Sequence, residues 1–263
     1  MDMREELVLI DGNSLINRAF YALPMLTGKD GMPINAVYGF ANILVKLIET
    51  YKPKYMAVAF DVKSKTFRHN MYEGYKATRK GMPNELASQL PILKEMLGVI
   101  GIKCVEKEGI EADDIIGTLS KKHSLPTYIL TGDRDSFQLI DNSTTVLFTR
   151  KGISEVDEMT PSSLMESFGL TPSQVVDFKS LAGDASDNIP GVQGIGEKRA
   201  KELLGIYGSV AEVYAHLNEI KGKLHDNLEK GRQSCDLSYA LATIKTDCDL
   251  DVPLGEMTYV FPF

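Results

Sequence analysis

The chain has 263 residues, 43% hydrophobic and 25% charged, the balance of an ordinary water-soluble globular protein with one large or two small domains. No apolar run approaches the roughly 20 residues that span a bilayer, and the polar start Met1-Asp2-Met3-Arg4-Glu5-Glu6 predicts no signal peptide, so a cytoplasmic protein without membrane contact is expected. Three scattered cysteines, Cys104, Cys235 and Cys248, argue against a disulfide framework or a zinc site, and a net charge of −7 argues at first against a polyanionic partner.

In chain order, Val8–Ile10 reads as a short buried strand, after which Asn13 or Ser14 can cap a helix. Val37, Phe40, Ala41, Leu44, Leu47 and Ile48 recur with the period of an amphipathic helix over 36–51, ended by Lys52-Pro53. A second buried strand is predicted at 55–60, a helix over 85–100, a short strand at 102–105 and a helix over 110–123. Strands follow at 127–130 and 145–148. Strands alternating with helices predict an α/β fold with a mainly parallel central sheet flanked by helices. From about residue 161 the pattern turns helical, with helices predicted over 171–181, 197–207, 209–217 and 232–244. The expected domains are therefore an α/β core over 1–160 and a helical region over 161–250, with 251–263 as a linker or truncated end.

Acids gather where strands end or helices begin: Asp11, Asp61, Glu111, Asp113, Asp114, Asp133, Asp135, Asp184 and Asp187. A single Asp after a strand is usually a turn former or a helix cap. Carboxylates massed on one sheet edge repel each other, and hard divalent cations with oxygen ligands relieve that repulsion. Asp113 and Asp114 diverge by about 100° on a helix, so they face different surroundings. Two cations about 4 Å apart can activate water and clamp a phosphodiester, chemistry that needs many carboxylates and no nucleophilic side chain.

The segment 62–82 carries Lys63, Lys65, Arg68, Lys76, Arg79 and Lys80 against one acid, Glu73. Aromatic residues are interleaved with these bases, a composition that suits single-stranded nucleic acid, although basic runs are more often solvated faces. The turn Gly191-Val-Gln-Gly194-Ile-Gly196 runs into Lys198, Arg199 and Lys201. No strand is predicted before it, which disfavours a dinucleotide fingerprint and favours a helix–turn–helix grip on a phosphate backbone.

Together these motifs resemble the 5′-nuclease family, which includes the 5′→3′ exonuclease domain of bacterial DNA polymerase I, phage 5′-exonucleases and flap endonucleases. The resemblance runs from about Leu7 to Pro253 and is carried by Asp11-Gly12, Phe60-Asp61, Phe67-Arg68-His69, Tyr75-Lys76 with Arg79, and Glu111-Ala112-Asp113-Asp114. Gly132-Asp133-Arg134-Asp135 and Gly183-Asp184 through Asp187-Asn188 to Gly196 complete it. It implies a metal-dependent, structure-specific 5′-nuclease using two Mg²⁺ or Mn²⁺ ions. Asp11, Asp61, Glu111 and Asp113 would hold one ion and Asp135, Asp184 and Asp187 the other, with Asp133 between and Asp114 nearby.

The resemblance also implies a helical arch over 62–84, from which Lys76 and Arg79 act on the scissile phosphate. Arg68 and Lys80 would contact DNA and Tyr75 would stack on a base. Gly191, Gly194, Gly196, Lys198 and Arg199 would bind the duplex, with K⁺ at the turn. The implied partner is DNA at a duplex/5′ single-strand junction, including RNA primers, in replication and repair. A fused polymerase domain is a further implication, and the domain is expected to be monomeric. The alternatives are a PIN-type ribonuclease and a non-catalytic DNA-binding module.

Overall fold

The computed structural model describes residues 3–29, 31–150 and 155–260. In chain order the first elements are β1 (Arg4–Asp11), α1 (Gly12–Ala22), α2 (Asn35–Tyr51), β2 (Pro53–Ala59), α3 (Phe67–Met71), α4 (Asn84–Ala87), α5 (Gln89–Val99), β3 (Lys103–Val105) and α6 (Ala112–Lys122). They are followed by β4 (Thr127–Thr131), β5 (Thr144–Thr149), β6 (Val156–Met159), α7 (Pro161–Phe168), α8 (Gln174–Ala182), α9 (Glu197–Tyr207), α10 (Val210–Ala215) and α11 (Lys223–Ala242). The chain divides into two units: Met1–Ser64, Gly81–Thr160 and Lys245–Phe263 form the first, and Lys65–Lys80 with Pro161–Ile244 form the second.

The first unit is built on a six-stranded sheet of order β3-β2-β1-β4-β5-β6. All neighbours pair in parallel except β6, which joins β5 antiparallel. The chain leaves β1 towards β2 and β3, then returns to the other side of β1 with β4. That reversal is the topological switch point, where the carboxyl ends of the strands open a crevice for ligands. The core joins Val8, Ile10, Met56 and Val58 of the sheet to Phe40 and Leu44 of α2 and to Leu93 and Leu97 of α5. Each such side chain stabilises the fold by roughly 1.5–3 kcal/mol on full burial.

Several elements differ from their sequence-based prediction. The helix expected over 85–100 is broken into α4 and α5 at Ser88. Pro91 accounts for the break, because it has no N–H to give the Ala87 carbonyl and its ring would clash there. The unpredicted β6 has the sequence Val-Asp-Glu-Met, and its acids suit an edge strand, where charge discourages further pairing. Residues 251–260, expected as a linker or truncated end, pack into the first unit. Met257 and Tyr259 are buried there, and the Tyr259 amide donates to the Lys54 carbonyl at 2.8 Å. Residues 261–263 lie outside the described residues.

In the second unit, α8, α9, α10 and α11 enclose Leu181, Val192, Leu203, Leu204, Val213, Leu228 and Cys235. Helix α11 begins at Lys223 rather than near Arg232. Gly231 lies inside this helix and serves as a packing notch: a Cβ there would sit 2.6 Å from Val192 Cγ1. Among the described residues no helix is long and apolar enough to cross a membrane.

Candidate active site

Six of the predicted acids lie at the carboxyl edge of the first unit's sheet. Asp11 ends β1 and caps α1, so the N-cap is two to three residues earlier than predicted. Its carboxylate accepts from the Ser14 amide at 2.9 Å and from Thr131 Oγ1 at 2.8 Å, which ties β1 to the end of β4. Thr131 Oγ1 in turn accepts from the Asp133 amide at 2.9 Å, and Asp133 Oδ1 accepts from the Asp135 amide at 3.0 Å. Asp61 follows β2. Its amide donates to Asn13 Oδ1 at 2.9 Å, and its Oδ1 accepts from the Ala112 amide at 2.8 Å at the start of α6. Asp113 stands in the first turn of that helix, where acids are favoured by the dipole. Glu111 caps it and is buried.

These carboxylates share one electrostatic field. Burial first, then the charges of Asp61 and Asp133, push the Asp11 carboxyl up to about 7 despite its hydrogen bonds. Asp113 is driven well above the usual carboxylate range by burial and by the charges of Asp11, Asp133, Asp135 and Asp61. Its Oδ1 is buried with no hydrogen-bond partner. A buried acceptor without a donor is costly, and an oxygen-only donor set under mutual repulsion suits a hard divalent cation. The residues therefore fit such an ion chemically. Among the described residues, however, no three His, Cys, Asp or Glu side chains are already arranged as a closed ligand set.

Asp114, also expected near the metal, belongs to a different contact. It is fully buried and its Oδ1 accepts from the Lys245 amide at 2.9 Å. The divergence of neighbours along a helix separates it from Asp113.

The remaining two acids, Asp184 and Asp187, lie in the second unit, and both are paired with bases. Burial pushes the Asp184 carboxyl up, but the Lys179 ammonium at 2.6 Å and bonds from the Ser186 amide and hydroxyl outweigh it and hold it down at about 2. Asp187 accepts from the Arg79 guanidinium, lies 4.0 Å from Lys76 Nζ and accepts from the Tyr75 hydroxyl at 3.4 Å.

Two expected DNA contacts are displaced by burial. Arg68 is 2% exposed and donates to the Leu241 and Thr243 carbonyls at 2.9 and 2.7 Å, so it anchors backbone. Tyr75 is 4% exposed and packs with Val176, Ile189, Leu241 and Ala242, which removes its ring from base stacking. Lys80 is exposed.

The glycine turn joins α8 to α9 as a helix–turn–helix. Val192 and Ile195 face inward, while the Gly191 carbonyl accepts from Ser234 Oγ at 2.6 Å. Gly196 caps α9 without a side-chain bond, and with Lys198 and Arg199 it lines a shallow exposed cleft. Arg199 is bonded to Glu202 at 2.8 Å, and Lys201 donates to the Phe168 carbonyl.

Sequence reading gave Asn13 and Ser14 only as candidate helix caps and overlooked Arg18 and Thr131. Arg18 donates to the Gly132 and Arg150 carbonyls at 3.4 and 3.2 Å. A Cβ at position 132 would sit 2.5 Å from the guanidinium, so any larger residue there would push the end of Arg18 aside. The available signal was the four-residue step from Ser14 to Arg18, which puts both on one face of α1.

Comparison with known proteins agrees with this architecture. Residues 6–169 match the model of the 5′-3′ exonuclease N-terminal resolvase-like domain, and residues 170–261 match the 5′-3′ exonuclease C-terminal SAM fold. A parallel-sheet nuclease core followed by a helical domain is the class so defined, and the chain belongs to the 5′-3′ exonuclease family. It is 46% identical over 263 residues to DNA polymerase I of Bacillus subtilis (strain 168), covering 98% of this chain and 30% of that protein. The chain thus spans about 30% of the length of such relatives. The zinc-bound T5 5′-exonuclease shares the fold, with a TM-score of 0.73 at 21% identity over 90% of this chain and 89% of that one. So does a bacteriophage T5 flap endonuclease in a pseudo-enzyme-product complex with DNA and metal ions, with a TM-score of 0.74 at 19% identity over 92% and 90%.

Proposed function

We propose that the carboxyl edge of the first unit is a divalent-metal site at which this nuclease hydrolyses phosphodiesters beside a 5′ single-strand/duplex junction. The observation that carries it is the partnerless buried Oδ1 of Asp113 within the field of Asp11, Asp61, Asp133 and Asp135. In this reading Asp11, Asp61, Glu111, Asp113, Asp133 and Asp135 supply oxygen donors to Mg²⁺ or Mn²⁺. When bound, such an ion supplies the Lewis acidity that stabilises charge on a phosphoryl group. Ser14, Thr131 and the Asp61 contacts to Asn13 and Ala112 keep the donors aligned without themselves ligating. Asp184 and Asp187 enter as residues of the second unit whose carboxylates would exchange Lys179, Lys76 and Arg79 for a cation.

Lys76 and Arg79 then offer positive charge to phosphate. Lys198, Arg199 and the Gly191–Gly196 turn hold the duplex backbone, with K⁺ at the turn as part of the same reading. The match to DNA polymerase I supports a covalently attached polymerase region in the native protein. An immunoblot of the native protein at the mass of this domain alone would contradict that part.

The test is a 5′-end-labelled flap duplex incubated with and without Mg²⁺ or Mn²⁺, beside a single RNA strand and a blunt duplex. Metal-dependent release of short 5′ products at the junction is the expected result. Cleavage of RNA alone would make the chain a ribonuclease of PIN type. Tight flap binding with no cleavage under either metal would make it a binding module.

A further inference from the structure

Within the second unit, residues 65–80 meet the Asp184–Asn188 loop through more than opposite charge. The Lys76 amide donates to the Asp187 carbonyl at 2.9 Å, and Asn188 Nδ2 donates to the Gly74 carbonyl at 2.7 Å. Arg79 Nε reaches the Ser186 carbonyl at 3.4 Å. The Asp187 carboxylate, only 5% exposed by residue, collects Tyr75, Lys76 and Arg79 at once.

The backbone carries an independent mark of the same contact. Among the described residues, Lys52, Lys76 and Asn188 are the non-glycine positions with positive φ. Two of them face each other here, at φ 56° and 55°. The left-handed conformation is unfavourable for an L residue, somewhat less so for Asn. It persists only where the surroundings hold it. The Lys76 amide and the Asn188 side chain are the groups that make the holding bonds.

We propose that Asp187 is a positioning residue that, together with Asn188, moors the basic segment Lys65–Lys80 on an ordered backbone. This deepens the nuclease reading and rests on it for the segment's purpose, but the mooring itself is metal-independent. One carboxylate cannot give the same oxygens to Arg79 and Lys76 and to a cation. When phosphate takes up the two bases, the side-chain pairs exchange while the bonds of Lys76 N and Asn188 Nδ2 keep the segment in place.

The test is limited trypsin digestion of the full chain in EDTA, where no metal-ligand role can act. Lys76, Arg79 and Lys80 supply cleavage sites inside the moored segment. Asp187→Asn keeps the size and removes the charge. Asn188→Gly keeps the left-handed backbone and removes only the side-chain bond to Gly74. Both should speed cleavage after residues 76–80 by about tenfold, by raising local opening. Unchanged rates in both variants would overturn the mooring, whatever the flap assay shows. Faster cleavage in the variants, alongside a wild-type chain that fails to hydrolyse flaps, would keep the mooring and reject the nuclease reading. Where Asp187→Asn does not fold, Asn188→Gly decides alone.

Discussion

Asp113 keeps a buried carboxylate oxygen without a hydrogen-bond partner, whereas Asp184, also partly buried, accepts from Lys179 and twice from Ser186. The same residue type stands above its usual pKa in the first unit and below it in the second. At the first unit's sheet edge Asp113 faces the charges of Asp11, Asp133, Asp135 and Asp61, and the fold carries that repulsion. In the second unit Asp184 faces Lys179 and Asp187 faces Arg79 and Lys76, and these pairs are part of the packing. Carboxylates left uncompensated on a sheet edge make sense when a cation is to complete them. Carboxylates already paired act as structure until a ligand displaces their partner.

The comparison breaks most visibly at Asp113. Asp113→Asn should lower single-turnover flap cleavage by on the order of 10³ or more. At the same time it should stabilise the metal-free protein by about 1–2 kcal/mol, since a repelled buried charge is removed. Urea unfolding in EDTA reads the second effect, and a loss of stability there would mean that Asp113 is structurally satisfied. Asp184→Asn should act with the opposite sign. It removes the charge that the Lys179 ammonium faces and should cost about 2–4 kcal/mol in the same measurement.

A pH series sharpens the contrast. The folded pKa of Asp11 is raised, so the native state binds more protons than the unfolded one. Its contribution is fully present below the ordinary carboxyl value near 4 and drains away as pH rises to about 7. The folded pKa of Asp184 is depressed, so its contribution is present above about 4 and is lost as pH falls towards about 2. The Asp11→Asn protein should therefore lose part of the wild type's stability decline between pH 4 and 7, and Asp184→Asn part of its acid sensitivity. Identical pH profiles in all three proteins would contradict both assignments. The smallest effect belongs to Lys198→Ala. Flap binding should weaken a few-fold without sequence preference, and the salt slope should fall by about one. An unchanged slope would remove Lys198 from the phosphate contacts.

Much of the site was legible because its acids follow apolar runs. Leu9-Ile10 before Asp11 and Ile129-Leu130 before the Gly132 loop mark strands, and parallel strands deliver their carboxyl ends to one edge. What sequence could not show was partnership. Arg68 and Tyr75 have the composition of a DNA surface, but Leu241 and Thr243, far away in sequence, supply the carbonyls and packing that bury them. Asp114 looks like the twin of Asp113 until Lys245 claims it. Two helices depart from their predicted bounds in opposite ways, at Gly231 and at Pro91. Val192 fills the space beside Gly231 within a continuous helix, while Pro91 divides what the apolar period joins.

The central claim, that the first unit's acids are completed by a divalent cation, is met most directly by calorimetric melting at pH 7.5 in EDTA and in Mg²⁺, for the wild type and Asp113→Asn. The wild type should melt several degrees higher with Mg²⁺, because an ion that binds only the folded state stabilises it, and Asp113→Asn should lose most of that gain. Equal Mg²⁺ effects in the two proteins, or none in the wild type, would contradict it.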